Sequence, residues 1–168
     1  TVSKLELPTS PVVTALTPEA IAETIAPIAP TAGAFPPAHN TKTLLVVEDS
    51  DTERRLLTLT LERQGYHVAQ AVDGLEALNV LRQRSDIDLV ISDIEMPRMT
   101  GLEFLNARRQ HPNAAQVPVI LLTSCSGTQY KQVALSLGAA DYLLKPHVTP
   151  ELVASIERLT CDRAPAPV

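Results

Sequence analysis

The sequence predicts an α/β fold of the doubly wound kind, with a five-stranded parallel sheet and helices on both of its faces. Three observations carry that expectation. Short, unbroken apolar runs recur from residue 43 to residue 144, and each is followed by a segment with apolar residues at helical spacing. Strands that read as continuous Val, Ile and Leu, without alternation, are those buried on both faces, which is the parallel case. Aromatic residues make up only 3% of the chain against 45% apolar residues, so the core must be aliphatic. Strict alternation of strand and helix then implies right-handed crossovers and a helix layer on either side.

The elements follow in order. Thr43 to Val47 (T-L-L-V-V) is the first buried strand. Glu48-Asp49-Ser50 leads into a helix over Thr52 to Gln64, with Leu56, Leu57, Leu59 and Leu61 at roughly helical spacing. Gly65 sits just past that helix, where a left-handed backbone makes glycine the least costly residue. Tyr66 to Ala71 is the second strand, Asp73-Gly74 a turn, and Leu75 to Arg84 the second helix. Leu89 to Ser92 is the third strand and ends in Asp93. Pro97 to Gly101 is a loop and Leu102 to Gln110 the third helix. Val117 to Thr123 (V-P-V-I-L-L-T) is the fourth strand, and Gln129 to Leu137 a helix closed by Gly138. Tyr142 to Leu144 is the fifth strand and runs into Lys145-Pro146. Pro150 to Leu159 is the last helix. Thr149 is its expected N-cap, and proline fits the first helical position because its missing N–H has no partner to lose there.

Composition changes near residue 41. Seven of the fourteen prolines fall within residues 1–40, with only four charged side chains and one aromatic, Phe35. Proline removes backbone donors and fixes φ, and too little bulky apolar surface remains to offset the entropy of ordering. Residues 1–41 are therefore expected to be a disordered Pro/Ala/Thr-rich linker, with one transient helix over Pro18 to Ile25. Residues 42–163 are the expected folded domain, and 164–168 a frayed tail. A tether this long, opening on Thr rather than Met, is expected to follow another domain.

Charge and cysteine usage exclude several classes. The net charge is −5 with no Lys/Arg cluster, so no nucleic acid is expected as a partner. The pairs Arg54-Arg55 and Arg108-Arg109 read as solvated helix faces. Cys125 and Cys161 have no metal-ligand spacing and imply no disulfide framework, which favours a reducing cytoplasm. Cys161 is expected to pack at the end of the last helix. The four histidines, His39, His67, His111 and His147, are scattered and read as surface residues. No stretch reaches the roughly 18–20 apolar residues of a membrane span, so no membrane contact is expected.

In doubly wound sheets, sites form outside the carboxyl ends of the strands. Glu48 and Asp49 follow the first strand, Asp93 the third, Thr123 and Ser124 the fourth, and Lys145 the fifth. Three carboxylates, a hydroxyl and an amine thus converge on one crevice. The carboxylates repel one another unless a cation resolves them, and a hard, oxygen-bound ion that keeps waters and bridges phosphate is Mg²⁺. Phosphoryl transfer needs charge neutralisation and held oxygens more than covalent help. Mg²⁺, the Lys145 ammonium and the Thr123 hydroxyl are each suited to one phosphoryl oxygen, leaving Asp93 as the nucleophile that forms an acyl phosphate.

These residues, in this order, closely resemble the response-regulator receiver domains of two-component signalling, the CheY-like family. The pieces that carry the likeness are Glu48-Asp49, the loop Asp93-Ile94-Glu95-Met96-Pro97 with Gly101, Thr123-Ser124, and Gly138-Ala139 leading to Tyr142-Leu143-Leu144-Lys145-Pro146. The likeness spans 43–160. It implies a flavodoxin-like (βα)5 sheet in the order 2-1-3-4-5. It implies that Asp93 is phosphorylated by a phosphohistidine on a histidine kinase or phosphotransfer protein. It implies Mg²⁺ bound by Asp49, Asp93 and the backbone carbonyl of Glu95, with Glu48 acting through water. Thr123 and Tyr142 would be the switch pair that alters the face of the fourth helix, fifth strand and fifth helix, where a downstream protein or a second, phosphorylated copy binds. The side chains of Glu95 and Cys125 would tune phosphate lifetime, and the bond before Pro146 would be cis. Ser124 stands where the family commonly has Ala, and His147 where it often has an aromatic. The local text also resembles receivers fused to chemotaxis-type kinases, so a C-terminal receiver of a hybrid kinase and a stand-alone regulator both fit.

Two other functions compete with this one. An aspartate-nucleophile phosphohydrolase of the haloacid dehalogenase class resembles the chain in Asp93-Ile94-Glu95. That class places its nucleophile after the first strand and follows it with Gly-Thr, and this chain does neither. A non-phosphorylated pseudo-receiver, used for docking alone, would be expected to lack the aspartate or the lysine. Catalysis beyond self-phosphorylation and its reversal is not expected from these residues.

Overall fold

The computed structural model describes residues 42–124, 126–145 and 149–161. The expected linker, the expected tail, Cys125, Pro146 and His147 lie outside the described residues. Five strands, β1 (Thr43–Val47), β2 (His67–Ala71), β3 (Ile87–Asp93), β4 (Val119–Thr123) and β5 (Asp141–Leu144), pair in the order β2-β1-β3-β4-β5. Every pairing is parallel. Among the described residues, five helices connect and follow them: α1 (Asp51–Arg63), α2 (Gly74–Gln83), α3 (Gly101–Arg108), α4 (Thr128–Ser136) and α5 (Pro150–Cys161). A four-residue helical turn, Pro112–Ala115, which the sequence reading missed, lies between α3 and β4.

The unbroken apolar runs are explained by two cores, one on each face of the sheet. Leu45, Val47, Val90, Val119 and Leu121 face α2, α3 and α4 through Leu78, Leu81, Phe104, Leu105 and Ala134. The alternate positions Leu44, Val46, Leu89, Ile91, Ile120 and Leu122 face α1 and α5 through Leu57, Leu61, Leu152 and Ile156. Each residue of β1 and β4 therefore removes its side chain from water on one face or the other, at about 25 cal/mol per Å² of apolar surface.

The helix ends follow their expected chemistry. Ser50, Asp73 and Thr100 accept hydrogen bonds from the backbone N–H groups of Glu53, Glu76 and Glu103, and Thr100 and Glu103 form a reciprocal capping box. Thr149 Oγ1 accepts from the Leu152 N–H at 3.3 Å, as expected of an N-cap. Gly65 and Gly138, at φ 92° and 97°, take the left-handed conformation that ends a helix.

Three readings are corrected. Leu56 and Leu59 are 55% and 45% exposed, because the buried stripe of α1 runs through Leu57 and Leu61, four residues apart. Neither arginine pair is wholly solvated. Arg108 is 5% exposed, four residues beyond Phe104 on the inward face of α3, and Arg54 turns back to donate to the Glu48 carbonyl at 2.7 Å. Arg55 and Arg109, one position further on, do face solvent. Cys161 is exposed: Ile156 and Thr160 hold the buried stripe of α5, and the next residue is rotated off it.

Candidate functional site

The 2-1-3-4-5 order reverses direction between β1 and β3, which opens a crevice at their carboxyl ends. Glu48 and Asp49 leave β1 into that crevice, and Asp93 closes β3. Glu48, Asp49 and Asp93 each bring a carboxylate oxygen within 4.8 Å of the other two. Glu48 and Asp93 are buried and Asp49 is exposed, so the triangle has a sealed floor and an open side. All its donors are hard oxygens, with no thiolate or imidazole, a set that fits Mg²⁺ and not a zinc-type ion.

Lys145 enters from the end of β5. Its backbone N–H donates to the Thr123 carbonyl at 2.9 Å, which ties the two strand ends together. Its ammonium donates to Glu53 at 2.5 Å, Glu48 at 2.9 Å and Asp93 at 3.2 Å. Burial opposes the lysine's charge, but Glu53 and Glu48, with the field of Asp93, outweigh it and hold the group well above the ordinary lysine range. Lys145 is charged at neutral pH. Burial pushes Glu48 above the usual carboxylate range. The bond from Lys145 opposes that rise, the nearby Asp93 charge adds to it, and the Ser50 N–H opposes it. One ammonium does not balance four surrounding carboxylates, so the crevice keeps a negative charge that favours a cation.

Asp93 is fixed on its other side. Its Oδ1 accepts from the Ile94 N–H at 2.6 Å, leaving Oδ2 toward Lys145. The loop beyond it folds back tightly. Gly101 donates to the Ile94 carbonyl at 2.9 Å, and a Cβ at Gly101 would collide with the Asp93 carbonyl oxygen. Arg98, at φ 62°, pairs with the buried carboxylate of Asp73, which also caps α2. That ion pair fastens the loop to the neighbouring helix.

Thr123 is buried at the end of β4, and Tyr142 is buried within β5. A pocket of about 390 Å³ borders Tyr142 and is lined also by Thr128, Lys131, Leu144 and Glu151. Tyr130, Val133 and Leu135 of α4 expose apolar surface close by in sequence. Glu95 is exposed on the loop and lies outside the carboxylate triangle. The structure thus brings together Glu48, Asp49, Asp93 and Lys145. Sequence reasoning missed Glu53, whose signal was its place in the first turn of the helix that opens onto the crevice. It also missed the inward-turned Arg54.

The comparisons agree with this geometry. The family model for the response regulator receiver domain matches residues 44–157. A chemotaxis protein CheY homologue of Campylobacter jejuni is 37% identical over 111 residues, covering 66% of this chain and 85% of its own. The crystal structure of Vibrio cholerae CheY4 superposes with a TM-score of 0.65 at 36% identity, over 71% of this chain and 98% of that one. The receiver domain of a sensor histidine kinase from Pseudomonas aeruginosa, solved with magnesium coordinated in its active-site cleft, gives a TM-score of 0.67 at 26% identity, over 73% and 99%. The chain belongs to the response regulator receiver domains, the CheY-like modules of two-component signalling.

Proposed function

We propose that Asp93 accepts a phosphoryl group from a phosphohistidine on a histidine kinase or phosphotransfer protein. The observation that carries this reading is the charged Lys145 ammonium held against Asp93 beside the carboxylate triangle. Asp93 attacks phosphorus, the donor's N–P bond breaks, and the freed imidazole nitrogen keeps the bonding electrons and picks up a proton. Lys145 Nζ and Thr123 Oγ1 each hold a phosphoryl oxygen as the acyl phosphate forms. Asp49, Asp93 and the Glu95 carbonyl would hold Mg²⁺, with Glu48 through water, and the ion when bound supplies the neutralising charge that this acidic crevice lacks.

Receiver domains interact with histidine kinases or phosphotransfer proteins and with downstream targets. Here the responding surface is assigned to α4, β5 and α5, with Thr123 and Tyr142 as the switch pair and a shift in population as the response. The exposed Leu144 and the apolar side chains of α4 fit a surface made to bind protein. Glu95 and Cys125 are assigned to tuning the phosphate's lifetime. The receiver is taken to occupy 42–163, behind a linker and in the cytoplasm. Among the described residues no helix is long and apolar enough to cross a membrane.

The test is incubation of the purified chain with acetyl phosphate and Mg²⁺, followed by a phosphate-affinity gel. A base-labile shifted band, lost in Asp93→Ala and with EDTA, supports the reading. The absence of a band, even with a phosphorylated kinase as donor, refutes it in favour of a docking pseudo-receiver. Steady phosphate release without a trapped band points to a hydrolase.

A further inference from the structure

Lys145 has three ammonium protons and three carboxylate partners, and the shortest contact is not the one phosphotransfer uses. Glu53 lies at 2.5 Å, Glu48 at 2.9 Å and Asp93 at 3.2 Å. Glu48 belongs to the acidic triangle, so a cation bound there draws on its charge. Glu53 does not belong to that triangle. It stands in the first turn of α1, where the backbone N–H groups of a helix start favour a carboxylate. Its side chain is 40% exposed, against 12% for Lys145, so it approaches the ammonium from the solvent side and can swing away without repacking the core.

We propose that Glu53 is a positioning residue that competes with the incoming phosphoryl group for Lys145 and thereby holds down the rate at which Asp93 is phosphorylated. The inference rests on the reading of Asp93 as phosphoacceptor. Before transfer, Glu53 draws the ammonium toward the mouth of the crevice. For Lys145 to meet a phosphoryl oxygen, its bond to Glu53 must loosen, and the separation of that pair is part of the barrier. Glu53 acts through Lys145 and does not touch the reacting atoms.

The experiment measures the rate of phosphorylation of the full chain by acetyl phosphate with Mg²⁺. It compares wild type, E53Q, K145Q and the double variant, with far-UV circular dichroism to verify folding. E53Q keeps the length of the side chain and removes its charge. A partly exposed ion pair of this kind is expected to be worth about a three-fold gain in rate for E53Q over wild type. In the K145Q background the same substitution should give no gain, because the partner through which it acts is gone. Tighter binding of beryllofluoride by E53Q than by wild type, again absent in the K145Q background, would show the same competition without chemistry. An E53Q rate equal to or below that of wild type overturns the inference and leaves the phosphoacceptor reading intact. An equal gain in both backgrounds also overturns it, since the effect would then be the general field of one acidic charge. A wild-type chain that takes no phosphoryl group overturns both.

Discussion

Replacing Arg108 with methionine tests how much of this domain hangs on one buried cation. Arg108 Nη1 faces the carbonyls of Ala114, Ala115 and Val117 at 3.2, 3.1 and 2.7 Å, and Nη2 faces that of Gly138 at 2.8 Å. The side chain thereby joins α3, the helical turn at 112–115, the approach to β4 and the turn after α4. Nη1 has two protons for three acceptors, so the site holds the equivalent of three strong bonds. Two of the acceptors, on Ala114 and Val117, are buried; the Ala114 carbonyl also accepts from the Gln116 and Val117 N–H groups, so the Val117 carbonyl is the one that depends on Arg108. A stranded buried acceptor costs about 1–3 kcal/mol. Against that stands the cost of burying the guanidinium, whose Nε has no partner among the described residues and whose proton affinity burial lowers. The net expectation for Arg108→Met is a loss of about 1–3 kcal/mol, a fall in Tm on the order of 5–10 °C for a domain this size. Urea unfolding followed by circular dichroism would measure it, with an unchanged m-value as the sign that both end states are preserved. Arg108→Lys should recover less than half, because an ammonium cannot span the carbonyls on both sides. An Arg108→Met chain within about 0.5 kcal/mol of wild type would refute the reasoning.

Further outcomes follow from the same contacts. Gly101→Ala drives a methyl into the backbone of Asp93, where no flexible side chain can yield, so it should cost about 2–3 kcal/mol or more and slow phosphorylation as well; chemical denaturation and the phosphorylation rate read the two effects. Arg98→Ala leaves the buried Asp73 carboxylate without its cation, which should destabilise the chain by about 1–2 kcal/mol and raise hydrogen exchange in the loop after β3. Asp86 is held below the usual carboxylate range chiefly by its bond from Arg84, so its stabilising contribution is present at neutral pH and lost as pH falls through the carboxylate range. The margin of wild type over Asp86→Asn should be about 0.5 kcal/mol or less at neutral pH and shrink on acidification, as thermal melts across pH would register.

The sequence made the architecture legible because both faces of the sheet are buried. β1 and β4 are apolar at almost every position, and no other arrangement satisfies such strands between amphipathic helices. The convergence of Glu48, Asp49, Asp93 and Lys145 was equally legible, since parallel strands send all their carboxyl ends to one edge. What stayed hidden was set by helix rotation and side-chain reach. Arg54 and Arg55 are alike in sequence, yet a turn of 100° sends one back to the Glu48 carbonyl and the other to solvent. Arg108 looked like a solvated basic residue because its partners are carbonyls from four other positions, which carry no side-chain signature. Glu53 was hidden for a similar reason: an acid in the first turn of a helix is ordinary, and only the fold brings Lys145 from ninety-two residues away to meet it. The helical turn at Pro112–Ala115 is too short for apolar periodicity to register.

The most direct test of the central claim is to map the modified residue by mass spectrometry after phosphorylation with acetyl phosphate and Mg²⁺ and reduction of the acyl phosphate with borohydride. The expected result is one reduced site, at Asp93, absent when EDTA is added beforehand and absent in Asp93→Asn. Modification at another residue, or none in a folded chain supplied with donor and Mg²⁺, would contradict it.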